Sequence, residues 1–92
     1  MGFSEYQGTI LAGESKRVEH RVGPFPFPQI MEDHDPGTIY LMASPRESDC
    51  TLMVHGHTKE WDLFGSYFIY GVTVYNPGPK DTDFDLQGGK VT

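Results

Sequence analysis

The longest stretch of this chain without glycine or proline runs ten residues, from Arg46 to His55. Inside a helix a glycine costs about 1 kcal/mol and a proline about 3 kcal/mol relative to alanine, and a mean helix is about 11–12 residues long. There is hardly room for one ordinary helix, so the chain is expected to be all-β. The breakers recur at the spacing of turns between short strands, which is the pattern of a small β-sandwich or jelly-roll-like domain of six to seven strands. With 92 residues and no internal repeat or shift in composition, residues 1–92 are expected to form a single domain. A domain of this size buries roughly 60% of its unfolded surface and leaves little space for a deep pocket. Binding is therefore expected on a surface, at an edge strand or in a groove between subunits.

Thirteen acidic residues against seven lysines and arginines give a formal charge of −6. The bases are scattered; Arg17 and Arg21 share a face in an extended reading but stand beside Glu14 and Glu19, so no phosphate-tracking stripe forms and no nucleic-acid partner is expected. Cys50 is the only cysteine. It excludes an intramolecular disulfide, disfavours a disulfide-dense extracellular scaffold, and is expected to be a small buried residue in a strand. Met1 to Tyr6 carries neither the basic nor the apolar region of a secretory signal, and no apolar run is long enough to span a bilayer. Sec export and a membrane partner are not expected.

Along the chain, an apolar segment begins at Gly8–Leu11 and stops at the turn Ala12-Gly13-Glu14. Ser15 to Val22 then alternates, with Val18, His20 and Val22 facing inward and Arg17, Glu19 and Arg21 facing solvent. Pro24, Pro26 and Pro28 enclose Phe25 and Phe27; three missing donors exclude a central strand and leave an edge or an extended arm over 23–30. Residues 1–8 are expected to form a second arm. Thr38–Ala43 and Cys50–His57 read as strands joined by a polar connection, and are expected to pair as an antiparallel hairpin. Trp61–Phe64 follows as a short segment of its own. The strongest strand signal is Ser66–Tyr75, with Phe68, Tyr70, Val72 and Val74 on one face and Tyr67, Ile69, Thr73 and Tyr75 on the other. A strand apolar on both faces is expected to be covered on both sides. Thr82–Leu86 closes the chain, with its aspartates outward.

His55-Gly56-His57 with Glu60 is the most enzyme-like constellation, because residues i and i+2 of a strand share a face and two imidazoles can hold a metal. It resembles half of the cupin motif. Asp49 stands where that family has a glycine, Glu60 follows His57 one residue too soon, and Tyr75–Gln87 lacks the second histidine motif. Asp81, Asp83 and Asp85 open like a calcium loop, but Leu86 occupies the required glycine position and Thr92 that of the closing glutamate. His34 lies among Glu32, Asp33 and Asp35 and reads as a solvated loop. Cys50 and His55 in one strand would point to opposite faces, and no serine has an evident oriented base. No metal, cofactor or catalytic residue is expected.

Twelve aromatic residues exceed what one small core absorbs, and aromatic side chains are favoured anchors between chains. Phe3, Tyr6, Phe25, Phe27, Tyr67, Ile69 and Tyr75 are the candidate partner-binding residues. Thr9–Val18, with its strand, Ala-Gly-Glu turn and second alternating strand, together with the later Phe68–Asn76 strand, resembles small β-sandwich virion proteins of tailed bacteriophages. That resemblance implies a non-enzymatic capsid decoration, cement or other head or tail component, localised to the virion after assembly in the host cytoplasm. The implied partners are major capsid or other virion proteins, with the chain as a homo-oligomer or in many copies on a symmetric particle. Two other readings stay open: a carbohydrate-binding module stacking sugars on Trp61, Tyr67 or Tyr75, and an acidic inhibitor of a host protein.

Overall fold

Alternation of apolar and polar side chains resolves into six strands: β1 (Gly2–Ile10), β2 (Ser15–Val22), β3 (Ile39–Pro45), β4 (Met53–Asp62), β5 (Tyr67–Tyr75) and β6 (Thr82–Lys90). The computed structural model describes residues 2–24, 35–62 and 66–91. The strands form two three-stranded antiparallel sheets, ordered β1-β6-β3 and β2-β5-β4. Their inner faces supply one core: Ile10, Leu41, Ala43, Phe84 and Leu86 from the first sheet, Val18, Phe68, Tyr70, Val72 and Val74 from the second. Fully burying one such large side chain contributes about 1.5–3 kcal/mol. The expected all-β sandwich is the architecture found, and the two faces of β5 divide as the alternation predicts.

The two central strands, β5 and β6, are the most continuously buried, and the chain crosses between sheets at one end through Asn76. This asparagine is fully buried. Its Nδ2 donates to the carbonyls of Ile10 (3.2 Å) and Lys80 (2.9 Å), and its Oδ1 accepts from the Gly78 N–H at 2.8 Å. Its backbone binds the Ala-Gly-Glu turn, accepting from Gly13 N–H and donating to Glu14 O. Gly13 has φ +83, a left-handed conformation that glycine adopts without penalty. Glu14 closes the same turn by accepting from Leu11 N–H, and Asp81 accepts from Ala12 N–H.

Several expectations are corrected. Residues 2–8 are no free arm; β1 pairs with β6 from Gly2 to Ile10, with a bulge between Tyr6 and Gly8 where Gly8 takes φ +91. Thr38–Ala43 and Cys50–His57 do not form a hairpin. β3 pairs with β6 and β4 with β5, so each lies at the edge of a different sheet, beside its central strand. The connection between them bends across the sandwich, held by Arg46 on Asp85 and by Glu47 N–H on Thr82 Oγ1. Cys50 accordingly lies half-buried in that connection rather than in a strand. Trp61 and Asp62 are the end of β4, not a separate segment.

Candidate interaction surfaces

The outward face of the β1-β6-β3 sheet is set by register. Asp85 stands between Tyr6 and Ser44, Gln87 between Ser4 and Met42, and Gly89 between Gly2 and Tyr40. Three of these side chains are large, apolar in body and open: Tyr6 is 55% exposed, Tyr40 50% and Met42 53%. The Tyr6 end is polar. Arg46 lies over the Tyr6 ring, 4.6 Å from its centroid, while its Nη2 meets Asp85 at 2.9 Å. Asp83 accepts from Thr9 Oγ1 and from the Tyr6 hydroxyl. Partial loss of hydration and the hydrogen bond to Asp83 hold the Tyr6 phenol above its ordinary value, and the hydrogen bond from Arg46 holds Asp85 below the usual carboxylate range. The Tyr40–Met42 end has no charge.

The outward face of the β2-β5-β4 sheet carries the expected Tyr67, Ile69 and Tyr75, all half-buried. Charged edge residues flank them: Ile69 lies between Arg21 and Glu60, and Gly71 between Glu19 and Thr58. Arg17 crosses the centre of this face. Its Nη1 donates to Gly56 O at 2.5 Å and Thr73 Oγ1 at 3.3 Å, and its Nη2 to Thr58 Oγ1. The crossing requires Gly71, since a Cβ there would lie 2.7 Å from Arg17 Nη2. The guanidinium thereby ties β2 to the bulge of β4.

The remaining candidates fall apart as sites. A bulge between His55 and Thr58 breaks the alternation that would put His55 and His57 on one face, and both rings are exposed. Asp81, Asp83 and Asp85 each bind a different partner, Ala12 N–H, Thr9 and Arg46. Among the described residues no group of three or more His, Cys, Asp or Glu could hold a metal ion. Phe3 packs against the core and stacks flat on His20, ring centroids 3.7 Å apart, while His20 Nδ1 meets Glu5 at 3.1 Å. That arrangement bridges the two sheets along the β1–β2 side. Trp61 packs on Phe68 at the edge of the core.

On the β3–β4 side, Lys59 binds Asp35 at 2.6 Å and reaches the Phe68 and Tyr70 rings, while the Tyr70 hydroxyl donates to Gly37 O. The hydrogen bond from Lys59 lowers the Asp35 pKa, and burial raises that of Tyr70. Phe25, Phe27, Glu32, Asp33, His34 and Phe64 lie outside the described residues. The features that sequence reasoning missed are Tyr40, Met42 and the Arg17–Gly71 crossing. Alternation with Leu41 and Ala43 already put Tyr40 and Met42 on an outward face; nothing local marked Arg17.

Among the described residues no helix is long and apolar enough to cross a membrane. The chain matches no protein-family model, no curated protein and no solved structure.

Proposed function

We propose that this chain is a non-enzymatic structural subunit that joins neighbouring subunits of a larger particle. Its specific form is the one the resemblance of Thr9–Val18 and Phe68–Asn76 implies, a capsid decoration or other virion component. The observation that carries the reading is the placement of open apolar surface: Tyr6, Tyr40 and Met42 share the outward face of one sheet. Large apolar side chains grouped on one face of a small domain mark a contact surface. Tyr67, Ile69 and Tyr75 offer a second neighbour a smaller apolar stripe on the opposite face, and many modest contacts repeated over a symmetric particle sum to high avidity.

The test is fractionation by mass of lysates from the cells in which the chain is made, with the chain quantified in each fraction. The expected result is co-sedimentation in many copies with particles far heavier than the 92-residue chain. Recovery only as a free small species that binds a polysaccharide on a glycan array overturns the proposal.

A further inference from the structure

Among the described residues each sheet has three strands, so β1, β2, β3 and β4 are all edges there, and unpaired edges invite further pairing unless something blocks it. Three of them are blocked. β1 has Glu5 and a bulge, β2 carries Lys16, Arg17, Glu19, His20 and Arg21, and β4 has a bulge together with Lys59, Glu60 and Asp62. β3, Ile-Tyr-Leu-Met-Ala-Ser-Pro, has no charge, no bulge and no proline before its last residue. Among the described residues no strand pairs with its outer edge.

The backbone groups on that edge follow from the ladder. Val91 N–H donates to Thr38 O and Arg46 N–H to Asp83 O, both at 2.9 Å. Hydrogen-bonded pairs alternate along an antiparallel ladder, so Thr38, Tyr40, Met42 and Ser44 turn their N–H and C=O toward β6. Ile39, Leu41 and Ala43 turn theirs outward. We infer that a second copy of this chain pairs with β3 antiparallel about a two-fold axis at Leu41.

In that register Leu41 meets Leu41 of the second copy and Ile39 meets its Ala43, and every outward donor and acceptor from Ile39 to Ala43 is used. On the outward face Tyr40 lies opposite Met42 of the second copy, twice by symmetry, in the non-hydrogen-bonded positions where side chains approach closest. Pro45 falls opposite Gly37, beyond the last paired residue, so its missing N–H breaks no bond. No charge opposes another along the paired strands although each chain carries −6. This inference rests on the assembly reading and names one of its contacts, the one between two copies.

The test is sedimentation equilibrium of the purified full chain, with hydrogen exchange read at single amides. An edge contact is smaller than a standard interface of roughly 1,600 Å², so micromolar association is expected, with Ile39, Leu41 and Ala43 amides protected only as concentration rises. Tyr40→Glu with Met42→Glu puts like charges opposite each other and should weaken dimerisation by about tenfold or more. Tyr40→Lys with Met42→Glu puts opposite charges there and should restore it, which a merely destabilised monomer would not do. Three results overturn the inference: a chain monomeric at about 1 mM, protection of those amides that is independent of concentration, or failure of the charge-swapped variant to pair. A chain that dimerises as described yet never enters a heavy particle refutes the assembly reading instead.

Discussion

Asn76 holds together the end of the sandwich where the chain crosses between sheets, and Asn76→Ala isolates that contribution. The change removes both Nδ2 bonds, to Ile10 O and Lys80 O, and the Oδ1 acceptor of Gly78 N–H. Ile10 is fully buried, so its carbonyl bears an unmet desolvation cost of about 1–3 kcal/mol. Lys80 is exposed and Gly78 half-buried; water can reach their groups, and each loses about 0.5–1 kcal/mol. The total is about 3 kcal/mol, a large fraction of the 5–15 kcal/mol that stabilises an ordinary domain.

Urea unfolding followed by the fluorescence of the only tryptophan, Trp61, which packs on Phe68, reads this directly. With a slope of about 1–1.5 kcal/mol per molar, the midpoint should fall by about 2–3 M. Asn76→Asp keeps the acceptor for Gly78 but aims a carboxylate oxygen at two carbonyls. Its folded-state pKa is therefore raised, so it should be less stable than the alanine variant at neutral pH and recover as pH falls and the acid becomes a donor. An aspartate variant as stable as the parent at neutral pH would refute the assigned hydrogen bonds.

Two further outcomes are expected. Arg17→Ala should cost about 1–2 kcal/mol by releasing Gly56 O and the threonine hydroxyls. Gly71→Ala should displace the same guanidinium, so in a double-mutant cycle the pair should cost clearly less than the sum, and strict additivity would show that Arg17 does not cross Gly71. Asp35, Asp49 and Asp85 have pKa values lowered chiefly by hydrogen bonds from Lys59, Lys80 and Arg46. Their stabilisation is complete above the unfolded-state value near 3.9 and is lost as pH falls through the lower folded-state values. Denaturation midpoints should therefore drop below about pH 4, and Asp85→Asn should flatten that drop; a midpoint unchanged between pH 5 and pH 2 would sink the assignment.

Local pattern made much of this protein legible. Breaker spacing excluded helices, and two-residue alternation in Ser15–Val22, Tyr67–Tyr75 and Thr82–Leu86 assigned inward and outward faces that the structure keeps. The Ala-Gly-Glu turn was equally readable, because Gly13 supplies its left-handed residue. Partners were not readable. β3 and β4 are consecutive strands with a connection of hairpin length, yet each pairs with a central strand instead, because pairing depends on contacts between segments far apart in the chain.

Nor could alternation foresee that Arg17 and Gly71, 54 positions apart in the chain, would meet over β5, or that Phe3 would lie on His20. The period of side chains along a strand is a property of the backbone and is written into every segment separately. Which edge is left open, which face is covered and which polar group is buried depend on how two sheets stack, and those are properties that no single segment contains.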